Sequence, residues 1–225
     1  MIKSVWLRII FLAFLLFLTC RSRQTLPKNP YCPYHLGDYL EYHNKWSMKS
    51  PDGTKEESEV FIIYEIVGMD NITEGTVVQL KRYYTDVNGT SEALIVNVYT
   101  QDRVLMIRPD GSRDSLALKL GETSIGTIKD ETDSTGIREV IKIVDNNVTL
   151  RNEKGIVFDS CLQVVTTQFS SDAETPELLY QKTSYYKDTI LVRYTSIDRR
   201  RSDDKRDKEL KVVSELKTYN IYLWE

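Results

Sequence analysis

His35 and His43 are the two histidines of this 225-residue chain, and histidine is the side chain whose ordinary pKa suits a general base near neutral pH. A base needs a partner, and the Gly-x-Ser-x-Gly turn that presents a nucleophilic serine is missing from the sequence. Both histidines therefore read as ordinary strand or surface residues. Adjacent acids occur at Glu56-Glu57, Asp130-Glu131 and Asp203-Asp204. Glycoside hydrolysis requires two carboxyls held across a cleft, whereas neighbouring acids in polar segments read as solvated charge. Cys32, Cys161 and the two histidines do not have the four-ligand spacing of a zinc centre. The sequence points to no enzyme, no metal and no cofactor.

The third cysteine carries more information. Ile9 to Thr19 is an apolar run of 11 residues, with Lys3 and Arg8 ahead of it and Arg21 and Arg23 behind Cys20. That is the layout of a secretory signal peptide with a cysteine at the cut. The run falls short of the roughly 20 residues a membrane-spanning helix needs. Phe17-Leu18-Thr19-Cys20 resembles the lipobox of bacterial lipoproteins. The resemblance implies that Cys20 carries lipid, palmitate included, after residues 1–19 are removed. It also implies a place on the bacterial cell envelope, at the outer membrane in preference to the inner, facing periplasm or cell surface. Several acyl chains on one residue hold firmly where a single chain does not. Plain cleavage near Thr19 and an uncleaved anchor are the alternatives. With Cys20 acylated, Cys32 and Cys161 are left as a possible disulfide, which an oxidising compartment permits and which would stabilise by about 4 kcal/mol. Two unpaired thiols are the other reading.

Removing residues 1–19 takes away Lys3 and Arg8 and no acid, so the formal charge moves from −3 to −5. A mildly acidic body argues against nucleic acid as a partner, since such binders present a strongly basic face. About 205 residues remain, enough for one domain with a full core. Residues 20–33, polar and interrupted by Pro27, Pro30 and Pro33, read as a tether. The domain is expected to span 34–225.

Period-two patterning dominates that domain. Glu59–Val67, Ala93–Tyr99 and Val104–Arg108 read as strands, and in Val77–Tyr84 the residues Val78, Leu80 and Tyr84 share one parity that Arg82 interrupts. Asp52-Gly53, Asn88-Gly89 and Asp110-Gly111 are hairpin turn signals. Further strands are expected at 139–144, 148–151, 156–167, 178–186, 190–197 and 210–224, with a long loop over 120–136. The expectation is a mainly β, single antiparallel domain of about 10–12 strands with little helix, arranged as a curved sheet, an open barrel or a sandwich.

Pro33-Tyr34-His35-Leu36-Gly37-Asp38-Tyr39-Leu40-Glu41-Tyr42 resembles the Pro-x-x-x-Gly-Asn-x-Trp-x-Tyr opening of a family of bacterial lipoproteins without an assigned activity. Leu118-Lys119-Leu120-Gly121-Glu122, the Gly155–Val164 segment and Tyr185-Tyr186 are similar to later phrases of the same family. Tyr39 and Leu40 stand where that family usually has Trp, and Lys187-Asp188-Thr189 replaces its glycine-rich turn. The resemblance implies a β-rich fold and an envelope location, and no chemistry.

Two polar features complete the reading. Asp198 to Lys208 packs six basic and four acidic residues between apolar strands. It reads as a solvated hairpin tip, or as an anionic-surface contact through Arg199, Arg200 and Arg201, because clustered guanidiniums suit phosphate. Asn71-Ile72-Thr73, Asn88-Gly89-Thr90 and Asn147-Val148-Thr149 match the glycosylation pattern, which would matter only in a eukaryotic secretory protein and means little in the bacterial host that the Cys20 context suggests. The leading functional expectation is a noncatalytic envelope lipoprotein, held to the membrane through Cys20, that binds an unidentified protein partner or stabilises the surface. The runner-up is a carrier of lipid or another apolar molecule in an open barrel, and an interior cavity above roughly 300 Å³ would favour it.

Overall fold

The computed structural model describes residues 28–86, 89–107, 113–115, 121–170, 177–199 and 209–220. Cys20, Arg200 and Arg201 lie outside the described residues. Twelve strands are present: β1 Tyr39–Lys49, β2 Lys55–Ile72, β3 Gly75–Asp86, β4 Gly89–Tyr99, β5 Val104–Ile107, β6 Arg113–Ser115, β7 Gly126–Thr132, β8 Ile137–Arg151, β9 Val157–Ser170, β10 Glu177–Lys187, β11 Ile190–Asp198 and β12 Glu209–Asn220. They make one antiparallel sheet in the order β6-β5-β4-β3-β2-β1-β12-β11-β10-β9-β8-β7, so of the expected architectures the sandwich is excluded. The chain starts at the centre of the sheet, meanders out to β6, resumes at the opposite edge with β7 and meanders back. First and last strands zip together, from Tyr39 opposite Asn220 to Lys49 opposite Glu209.

Covalent reach forces this sheet to curl. Ser115 and Gly126 are joined by eleven Cα steps, a span of at most about 40 Å. Twelve flat strands spaced by about 4.8 Å would hold their edges about 53 Å apart. A flat sheet is therefore impossible, and the two wings bend toward each other. Bulges at Glu41/Tyr42, Ile66/Gly68 and Tyr185/Tyr186 sharpen the local twist where the bend is needed. Edge strands β6 and β7 end the order without pairing, so the barrel stays open.

Two boundaries differ from the sequence pattern. The expected strands at 139–144 and 148–151 are one long strand, β8, whose pairing to β9 shifts register between Asp145 and Val148 and so hides its continuity. Within the expected 120–136 loop lies β7, paired with β8. It is an edge strand mostly open to water, and solvated faces impose no apolar alternation.

The core fills the concave side. Leu216, Val78, Ile66, Ile190, Val192 and Cys161 are essentially sealed from solvent there, and Ile141, Ile143, Leu162 and Val164 form a smaller cluster beneath β8 and β9. The chain ahead of β1 joins this packing. Asn29 donates its backbone N–H to Thr76 Oγ1 at 2.8 Å and its side-chain amide to the Tyr99 carbonyl at 3.0 Å. Thr189 donates to the Tyr31 carbonyl, and Cys32 is buried. Residues 29–33, read as tether, thus belong to the packed body.

The β8–β9 tip is clamped to the sheet centre. Glu153 receives the ammonium groups of Lys217 and Lys45, which hold its carboxyl down at about 2. A depressed carboxyl adds stability above its unfolded pKa of about 4.3 and loses it as pH falls toward 2. Because Glu153 is half exposed, solvent screening keeps this contribution small. Melting temperature followed from pH 6 to pH 2 is expected to fall further in wild type than in Glu153→Gln. Parallel curves for the two proteins would contradict the clamp.

Candidate functional site

Register alone places side chains on the concave face, because directly opposed residues in an antiparallel pair point the same way. One row runs Val60, Asn44, Ser214, Tyr194, Ser184, Val164 and Ile143 across seven strands. The next row contains Trp46, Val212, Ser196 and Lys182. On the other wing, Leu40, Tyr64, Arg82 and Ala93 share a row, as do Val78, Asn97 and Met106. The curl brings these rows to face each other across a trough of about 430 Å³.

Its walls are apolar and phenolic. Leu40, Ile62, Leu80, Ile95 and Leu191 supply the aliphatic surface. Tyr34 meets Tyr99 edge to face at 6.0 Å between ring centres, and Tyr42 meets Tyr64 at 5.8 Å and 88°. Such edge contacts add to what ring burial itself contributes. Tyr42 donates its hydroxyl to the Leu191 carbonyl at 2.7 Å, which ties the two wings together. Burial pushes the hydroxyls of Tyr34, Tyr42 and Tyr99 well above the usual phenol range, so they stay protonated. No acidic side chain lines the trough among the described residues.

The cations are few and poorly solvated. Lys182 lines the trough with its Nζ 4.6 Å above the Tyr194 ring centre, and burial lowers its pKa. Arg82 stands directly opposite Tyr64 across the β2–β3 pair, and its charge opposes the upward push of burial on that phenol. Arg82 Nε and Asn97 Oδ1 are buried without a hydrogen-bond partner among the described residues. On the sheet floor, Ser214 donates to Asn44 Oδ1 at 2.5 Å.

The sequence-nominated residues lie elsewhere. His43 faces the opposite side of the sheet, stacked on Phe61 at 4.6 Å with Nε2 2.9 Å from Glu59 Oε2. His35 sits in the turn before β1, where its backbone N–H donates to Asp38 Oδ2 at 2.7 Å. Arg199 is committed to Glu209 at 2.8 Å across the hairpin base, while Arg200 and Arg201 fall outside the described residues. Cys32 and Cys161 are buried free thiols, and burial pushes the Cys161 thiol up to about 11. A thiol held protonated is a poor nucleophile. Both cysteines are expected to resist iodoacetamide in the native protein and to label fully in denaturant without reductant. A disulfide would instead leave both unlabelled until reduced.

Sequence reasoning passed over Lys182, Arg82 and Asn97 as site residues. The usable signal was the charge breaking an apolar parity, as Arg82 does between Leu80 and Tyr84.

No family model matches the sequence, and no curated protein matches it. Solved structures do resemble the fold. A presumed exported protein with a YmcC-like fold from Bacteroides fragilis aligns with a TM-score of 0.53 at 13% identity, over 84% of this chain and 97% of that one. A presumed lipoprotein from Parabacteroides distasonis aligns at 0.47 and 12%, over 87% and 100%. A LolA superfamily protein from Nitrosomonas europaea aligns at 0.26 and 10%, over 84% and 91%. At these identities the first likeness speaks for the fold.

Proposed function

We propose that this protein is an exported lipoprotein of the bacterial cell envelope, anchored through Cys20, that binds an apolar molecule in its trough and does no chemistry on it. The single observation that carries the binding reading is the apolar and phenolic trough of about 430 Å³. It lies within the size range of small-molecule sites. It also moves the carrier reading ahead of a protein-docking role, since a filled interior would have left only the outer surface for partners. The export reading rests on the residue 1–20 layout and gains support from the fold shared with the Bacteroides fragilis protein, itself described as exported. The noncatalytic reading draws on phenols held protonated, thiols held protonated and histidines that do not line the trough.

Titration of the protein purified from its own host with N-phenyl-1-naphthylamine, a neutral dye that fluoresces in apolar surroundings, tests the binding reading. Saturable uptake of one dye per chain is expected. Uptake that never saturates, or none at all, would overturn it.

A further inference from the structure

The trough is not uniformly apolar, and its polar end has a definite sign. Lys182 is largely withdrawn from water, its ammonium rests on the Tyr194 ring, and no carboxylate is recorded against it among the described residues. A cation so placed lacks the counter-charge that buried charges normally have. Tyr64 adds a directional donor. Burial keeps its phenol protonated, opposite Arg82 on the neighbouring strand, so its hydroxyl is available to donate. Tyr64 on β2 and Tyr194 on β11 both line the trough that Lys182 enters. Lys182, Tyr64 and Tyr194 thus offer an ammonium and two phenolic protons to one region, with Arg82 behind Tyr64. Beyond them Leu40, Leu80 and Ile95 continue as aliphatic wall.

We propose that the ligand is an amphiphile whose anionic headgroup, a carboxylate or phosphate, is held by Lys182 with the hydroxyls of Tyr64 and Tyr194, while its hydrocarbon tail lies along Leu40, Leu80 and Ile95. This deepens the apolar-binding reading and rests on it. The anion supplies the counter-charge that Lys182 lacks, and the charge-assisted bonds to it are stronger than neutral ones. The tail supplies the bulk of the buried area.

The test uses displacement of N-phenyl-1-naphthylamine by three ligands of equal chain length: oleate, oleoyl lysophosphatidic acid and neutral monoolein. Wild type is expected to prefer at least one anion over monoolein by about tenfold, close to 1.4 kcal/mol, and the stronger anion identifies the headgroup. Acetate and inorganic phosphate at millimolar concentration are expected to displace nothing, because they have no tail; displacement by either would assign the site to a free anion instead. Lys182→Met should erase the preference, and Lys182→Arg should keep it. Thermal unfolding of both variants confirms that they are folded. Equal binding of oleate, lysophosphatidic acid and monoolein by wild type would overturn the headgroup assignment and leave apolar binding standing. Failure of all three lipids and of the dye would overturn both.

Discussion

Replacing Asn152 with alanine is expected to cost about 3 kcal/mol of folding stability, a far larger loss than an exposed turn residue would give. Asn152 sits in the β8–β9 tip and is 5% exposed. Its amide nitrogen donates to the carbonyls of Leu216 at 2.8 Å and Lys217 at 3.1 Å, and its Oδ1 accepts the Ile156 N–H at 2.9 Å. Those carbonyls lie where β11 no longer pairs with β12, whose recorded pairing ends at Arg193 opposite Glu215. The side chain therefore satisfies backbone groups that the sheet itself leaves over. Truncation strands three buried polar groups at once, at about 1 kcal/mol or more each. In a domain of about 200 residues that corresponds to a fall in Tm of about 10 °C. Asn152→Asp keeps the acceptor, loses both donors and adds a charge beside Glu153 and Glu215, so it should be no better tolerated. A fall of under about 2 °C for the alanine variant would show that water replaces the amide and that the tip does not hold the wings in place.

The second large effect is on binding. Ile95 on β4 and Leu191 on β11 both line the trough, from opposite wings, and each is half-buried. Converting both to tryptophan is expected to reduce dye affinity by about 100-fold, since two indoles take up much of the room a ligand needs. The trough opens to solvent, so the added rings can settle without forcing the backbone, and Tm should move by only a few degrees. Ile63 provides the control. It lies on the outer face opposite Glu41 and is 39% exposed, so Ile63→Trp should leave dye binding as it is. Unchanged affinity in the double variant would mean that the dye, and the apolar ligand it stands for, binds somewhere else.

Much of the fold can be read from the residues because a meander is local. Asn88-Gly89 predicts the β3–β4 turn, and the parity of Leu94, Val96 and Val98 predicts β4. What the parity of β4 does not reveal is which side becomes concave: Ile95, Asn97 and Tyr99, the opposite set, line the trough. That choice is made by the curl, and the curl follows from the pairing of β1 with β12 and from the short link between β6 and β7, both properties of the whole chain. The site was harder to see for the same reason. Tyr64 and Tyr194 are far apart in sequence and line one trough only when the wings close. Lys182 looked like one more polar residue in an exposed pattern. Its meaning depends on losing water, and desolvation cannot be seen in a single strand. His43, which sequence reasoning took as a candidate base, illustrates the converse. Odd-numbered residues of β1 face outward, so His43 shares a row with Phe61 and Thr85 rather than with the trough.

Native mass spectrometry of the protein purified from its own host tests directly the proposal that the trough holds one amphiphile. The expected spectrum shows one noncovalent anionic lipid per chain, released by organic solvent and distinct from any acyl mass fixed on Cys20. A spectrum with no noncovalent lipid, from protein that also takes up no N-phenyl-1-naphthylamine, would contradict the account.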